Sequence, residues 1–334
     1  MKKAFLFIFC VLAIFTSCKQ DVIFYDISQE IELNEQSILG NVTSMKKIDS
    51  TLYAASGLFY TKSTNDVRWK TLKAPTDTIV NLAVGGVNSE KYLYLLGKPT
   101  GSEEITYSVY ARKLSTNGAL DNSEWKEITS GVSFLYDNQA TTAPNAYITK
   151  DSKVYKLSGT SFNESPVDAT CIFGEKINSA VNLGGNDYFL GNPATFANGN
   201  YIYVANEKIL NYASKEKIDS YIQTLKANPE STENPWSKTN ETEDTIISTC
   251  LYNNKVYVGT NTGFQISTLK SDGSCSDFTN PASNAESAFG TREIIGIWNF
   301  DNENNFFVSV TFKASSIYDA LWGYDSASEK WNLE

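Results

Sequence analysis

The chain has 334 residues, with 28 Lys and Arg against 38 Asp and Glu, a formal net charge of −10 and a pI near 4.8. An acidic surface repels phosphate backbones and anionic lipid, which argues against nucleic acid as a partner and against charge as the means of holding the protein on a membrane. Histidine is absent, so Ser-His-Asp chemistry, Cys-His chemistry and the commonest zinc and copper ligand are excluded together; nothing in the composition calls for a cofactor or a metal.

Residues 1–17 read as an export signal. Lys2 and Lys3 begin it, Ala4 to Phe15 form a short apolar run, and the small pair Thr16-Ser17 precedes Cys18. The run is too short to span a bilayer. Phe15-Thr16-Ser17-Cys18 resembles the lipobox of bacterial lipoproteins, with Phe15 where Leu is usual. The resemblance implies a mature chain that starts at a lipidated Cys18, carrying a diacylglyceryl group and often an amide-linked chain such as palmitate. It places the protein in a bacterial cell envelope. Two hydrophobic attachments hold a protein on a membrane where one does not. Lys19 stands where Asp marks inner-membrane retention in enteric bacteria, so the expected site is the outer membrane or the cell surface. Residues 18–37 then form an anchor and acidic tether, in which Val22 to Tyr25 is a candidate strand.

From 38 to 334 short alternating runs of aromatic and β-branched residues are separated by Asn, Asp, Gly and Ser, the pattern of strands and tight turns. The runs repeat. Thr51-Leu52-Tyr53-Ala54, Lys153-Val154-Tyr155-Lys156, Tyr201-Ile202-Tyr203-Val204 and Lys255-Val256-Tyr257-Val258 share one form, and runs at Tyr94 and Phe307 are weaker copies. A strand precedes several of them (Val42 to Ile48, Ile246 to Leu251, Ile294 to Asn299) and another follows (Leu58 to Lys62, Phe264 to Leu269, Leu321 to Tyr324). A fourth begins at Trp69, Trp125, Trp236 or Trp331. Four antiparallel strands repeated in this way are the blades of a β-propeller. Six aromatic copies, with Val181 to Leu190 as a degenerate seventh, give an all-β propeller of six or seven four-stranded blades. Two segments interrupt it. Residues 214–228 place Ile218, Tyr221, Ile222 and Leu225 at helical spacing, as a short inserted helix. Cys275 to Thr291 is long, small and polar, a connection between blades.

Ser63-Thr64-Asn65-Asp66-Val67-Arg68-Trp69 resembles a degenerate Asp-box, the hairpin of sialidase-like propellers, and looser echoes precede Trp125 and Trp331. That resemblance implies architecture, with each Trp packed between blades, and not activity. As a whole the chain resembles the propeller lipoproteins of spirochaetes and Bacteroidetes.

No catalytic set is marked. Arg68, Arg112 and Arg292 are too few and too scattered for a sialidase arginine cluster. Another glycosidase needs two carboxylates across a cleft; Asp and Glu abound but no pair is singled out. Asp301-Asn302-Glu303-Asn304-Asn305 has hard oxygen ligands but not the spacing of an EF-hand, and reads as a solvated turn rather than a calcium loop. Of the cysteines beyond the signal, Cys171, Cys250 and Cys275, one pair at most closes; Cys250 to Cys275 is the candidate disulfide, against three small buried thiols. The expected function is a non-catalytic binding or scaffolding module for an envelope protein, peptide or glycan. Phe289, Trp298 and Arg292, at and after the long connection, are the candidate binding residues. The alternative is a carbohydrate-active enzyme, sialidase-like or another glycosidase, with carboxylates at the central channel.

Mass spectrometry of the mature N-terminus tests the lipobox. The expected species is an acylated Cys18; a free amine at another residue, without acyl mass, rejects it.

Overall fold

A computed structural model describes residues 37–64, 66, 68–99, 106–142, 144–280, 292–300, 306–311, 320–325, 328 and 330–334. The signal, Cys18, Val22 to Tyr25, Phe289 and Asp301 to Asn305 fall outside these. Seven antiparallel sheets succeed one another along the chain. The first holds β1 (Ser44–Ile48), β2 (Thr51–Ser56), β3 (Leu58–Ser63) and β4 (Lys70–Leu72). The second holds β5 (Thr78–Val87), β6 (Glu90–Lys98), β7 (Ser108–Lys113) and β8 (Lys126–Ser130), and the third β9 (Phe134–Asp137), β10 (Ala146–Lys150), β11 (Lys153–Ser158) and β12 (Ser161–Phe162). The fourth has only β13 (Ser179–Leu183) and β14 (Asn186–Leu190). The fifth holds β15 (Thr195–Asn198), β16 (Tyr201–Asn206), β17 (Ile209–Ser214) and β18 (Ser237–Glu241); the sixth, β19 (Ile246–Tyr252), β20 (Lys255–Thr260) and β21 (Gly263–Thr268). The seventh holds β22 (Glu293–Asn299), β23 (Phe306–Thr311), β24 (Ala320–Asp325) and β25 (Lys330–Leu333).

The first strand of each sheet packs beside the first strand of the next. The seventh returns to the first through one apolar cluster, in which Phe307 and Leu321 meet Val42, Met45, Leu52 and Trp69. The chain is therefore a seven-bladed β-propeller. Strand directions alternate within a blade, so turns between first and second and between third and fourth strands share one face, the turn face. Turns between second and third strands share the other, the link face, with the connections between blades.

Two blades depart from the expected four strands. In the fourth, Cys171 to Phe173 take the outer position: Ile172 N donates to Phe189 O at 3.0 Å and Gly191 N to Phe173 O at 2.7 Å. Helix α1 (Lys215–Ala227), which the spacing of residues 214–228 predicts, covers this short blade. Ser214 caps it by accepting from Lys217 N, and Ile218 is buried among Val181, Tyr188 and Leu190. In the sixth blade an irregular segment supplies the outer edge, where Ile266 and Thr279 exchange backbone bonds of 2.8 and 2.9 Å. The first part of the Cys275 to Thr291 connection is therefore paired to a strand. The repeat at Tyr155 also lies one strand further out than its copies, on the third strand of its blade. The four-residue inner strand β9 is too short to stand out in the sequence.

The Trp positions pack as the Asp-box resemblance implies. Trp69 meets Phe307 of the seventh blade edge-on at 6.2 Å, Trp125 meets Phe59 of the first at 5.8 Å, and Trp236 meets Phe173 at 5.2 Å. Second-strand tyrosines add a latch. The Tyr53 hydroxyl donates across the blade boundary to Gly118 O at 2.9 Å, and that of Tyr203 to Gly273 O at 3.0 Å. Burial pushes the Tyr53 phenol up to about 12. Gly118 holds φ +80°, and a Cβ there would lie 2.0 Å from Ile48 O. Replacing Tyr53 by Phe should cost about 1 kcal/mol of unfolding free energy, the net worth of one such bond. Replacing Gly118 by Ala should cost more, because the turn must leave its left-handed conformation and move off Ile48. Denaturant titration reads both; a Tyr53→Phe protein as stable as the parent rejects the latch.

Candidate functional site

The central channel is bordered by first strands, each with one edge that has no strand to pair with. Short polar side chains satisfy those edges. Leu82 N donates to Ser44 Oγ at 3.2 Å, Asn81 Nδ2 to Leu135 O at 2.7 Å and Ser248 Oγ to Ile294 O at 3.2 Å. Asp137, buried at 5 % exposure, accepts from Val84 N at 2.9 Å and pairs with Lys46 Nζ at 2.7 Å. These carboxylate and hydroxyl groups are committed to joining one blade to the next.

A second polar node ties the third blade to the fourth. Asp187 Oδ1 accepts from Asn138 at 2.8 Å and Asn182 at 2.6 Å, and Oδ2 from Asn145 at 2.8 Å and Tyr147 at 2.5 Å. Burial by itself would raise this carboxyl, but the bonds from Tyr147 and the three asparagines outweigh it and hold the group below its ordinary value. Burial raises the Tyr147 phenol, and donating to Asp187 raises it further. Among the described residues the other carboxylates that their surroundings displace, Asp66, Glu90, Asp121, Glu216, Asp219 and Asp272, are all lowered too. A general acid of glycoside hydrolysis needs the opposite displacement.

Among the described residues a groove with free functional groups lies elsewhere, on the turn face between the second and third blades. It encloses about 520 Å³ and is lined by Gly86 to Asn88, at the tip of the β5–β6 hairpin, and by Lys156 to Ser158 and Ser161 to Asn163 from the β11–β12 hairpin. Among the described residues the side chains of Asn88 and Lys156 have no partner; Leu157 is buried on the face of β11 opposite Lys156, which lies across from Tyr147. No spacing in the sequence marks this groove, because its walls come from turns of different blades.

Of the binding residues expected from the sequence, Arg292 and Trp298 are described and stand apart. Arg292 precedes β22 on the link face, whereas Trp298 lies near the opposite end of that strand, about 20 Å along it. Trp298 is half-buried and folds over Gly296, where a Cβ would lie 2.0 Å from its Cη2, and packs on the cluster that closes the ring. Phe289 lies outside the described residues. The three cysteines are free thiols, and burial lifts Cys250 to about 12 and Cys275 to about 11. Among the described residues no group of His, Cys, Asp and Glu could hold a metal ion, and no helix is long and apolar enough to cross a membrane.

Fold and site together define a seven-bladed propeller with an open groove on its turn face. No protein-family model matches the chain, and no curated protein matches it in sequence. Among solved structures it is similar to Hsv2 of Kluyveromyces lactis. It shares 8 % identity with the form titled as having loop 6CD replaced by a Gly-Ser linker, at a TM-score of 0.45 over 88 % of this chain and 97 % of that one. A second Hsv2 structure matches at 9 % identity and a TM-score of 0.37, over 87 % of this chain and 77 % of that one. The fold rests on the strand pairing above and not on these scores.

Because Asp187 is held below its ordinary value of 3.8, its stabilising share is complete above that value and is lost as pH falls through the folded-state value. Asp187→Asn should cost about 2 kcal/mol at neutral pH and flatten that part of the acid unfolding curve. An unchanged acid limb in thermal melts would show that the node contributes nothing.

Proposed function

We propose that this protein is a lipid-anchored component of a bacterial cell envelope whose propeller is a non-catalytic binding or scaffolding module, with a protein, peptide or glycan as its partner on the turn face. The observation that carries the reading is the distribution of free polar groups. The carboxylates bordering the channel and the fourth blade are occupied by the fold, while the groove lined by Asn88 and Lys156 has uncommitted polar groups. A rigid scaffold with adaptable turns is the usual arrangement for recognition. The anchor rests on the sequence around Cys18.

The test pairs Lys156→Ala with Asn88→Gly, which suits the φ of +49° at that turn. Both changes are at the surface and should leave the melting temperature within a degree or two of the parent, as surface substitutions generally do. Pull-down from detergent-solubilised envelope should then lose the partner that the parent recovers. Equal recovery rejects the groove, and turnover of a glycan substrate by the purified parent rejects the non-catalytic reading.

A further inference from the structure

Among the described residues two large apolar side chains stand in solvent, Leu39 at 64 % exposure and Leu58 at 46 %. One exposed leucine needs no explanation. These two lie on neighbouring turns of the first blade, both on the link face, and their backbones are pinned. Leu39 N donates to Tyr60 Oη at 3.3 Å, and Leu39 O accepts from Ser56 Oγ at 2.7 Å. Gly57, beside Leu58, exchanges backbone bonds of 3.1 and 2.7 Å with Ile79 of the second blade. The leucines are held outward by fixed chain rather than left there by slack.

Their position adds a second argument. The described chain begins at Ser37, two residues before Leu39. Between Cys18 and that point lie residues 19–36, which span at most about 60 Å when fully extended. A chain anchored at Cys18 therefore keeps the domain close to the bilayer, and the link face of the first blade is where the anchor joins it. We propose that Leu39 and Leu58 dock the propeller on the lipid surface, entering the headgroup region and turning the Asn88–Lys156 groove away from the membrane. This rests on the lipidation of Cys18. The net charge of −10 leaves apolar contact as the means of docking on lipid without net charge.

The full chain is reconstituted into phosphatidylcholine vesicles after mass spectrometry of its N-terminus. A nitroxide is attached at Leu58→Cys in a Cys171→Ser background, where Cys250 and Cys275 are buried, and at Asn88→Cys as the control on the turn face. The expected result is an acylated N-terminus, with loss of access to a water-soluble nickel chelate and gain of oxygen access at position 58, and neither change at 88. Leu39→Cys gives the same reading if Leu58→Cys does not fold. An acylated chain whose label at 58 stays open to nickel overturns the docking and leaves the anchor standing. An N-terminus without acyl mass overturns both. Spin–spin broadening between labels at 58 assigns the leucines to a second copy and also overturns the lipid contact.

Discussion

A propeller must satisfy the inner edge of every first strand without offering it another strand. Here neighbouring blades do so for one another, through side chains short enough to fit near the axis. Ser44 serves Leu82, Asn81 serves Leu135, Asp137 serves Val84 and Ser248 serves Ile294. An unpaired buried donor or acceptor costs about as much as a whole hydrogen bond contributes, so these contacts fix the spacing of the blades. The apolar clusters between blades and the tyrosine latches then pack at the spacing the inner seam sets. Closure follows the same logic, because among the described residues the last blade is joined to the first by side chains and short contacts. Val42 N donates to Ser309 Oγ at 3.1 Å, and Glu334 accepts from Trp69 Nε1 at 2.8 Å and pairs with Lys62 at 2.5 Å.

The short fourth blade shows how the ring tolerates a missing pair of strands. Two strands still return the chain to the link face, so the next blade starts where it would in any case. The exposed edge is closed from both sides, by Cys171 to Phe173 running alongside it and by α1 laid over it from the fifth blade. The Tyr188 hydroxyl donates to Asp219 of that helix at 2.7 Å, and Trp236 Nε1 donates to Ile172 O at 3.1 Å. The inserted helix is thus a structural element of this blade, in keeping with its single buried face.

The same economy separates occupied polar groups from free ones. Groups that resemble reactive machinery by residue type, the Asp137–Lys46 pair and the Asp187 node, have their lone pairs and protons engaged by neighbours. A carboxylate accepting four hydrogen bonds is a poor proton donor at neutral pH. Free functionality is displaced outward to the turns, where a change of side chain leaves the inner seam untouched, and the apolar pair on the first blade lies on the face opposite the groove.

Much of the architecture is legible in the sequence because it repeats. The runs around Tyr53, Tyr203 and Tyr257 report strands, of which those of Tyr53 and Tyr203 are buried on both faces between blades, the recurring Trp reports a fourth strand, and Ile218, Ile222 and Leu225 report a helix with one buried face. These are local periodicities, set by side-chain geometry within one element. The inner strand β9, the two-stranded fourth blade and the placement of Tyr155 are not legible, since each depends on which segment reaches the axis. The groove at Asn88 and Lys156, the Asp187 node and the separation of Arg292 from Trp298 likewise arise only when blades are set side by side. Sequence alone determines which residues alternate and where chains turn. Which turns become neighbours is decided by ring closure, a constraint that acts on all seven blades at once and leaves no local mark.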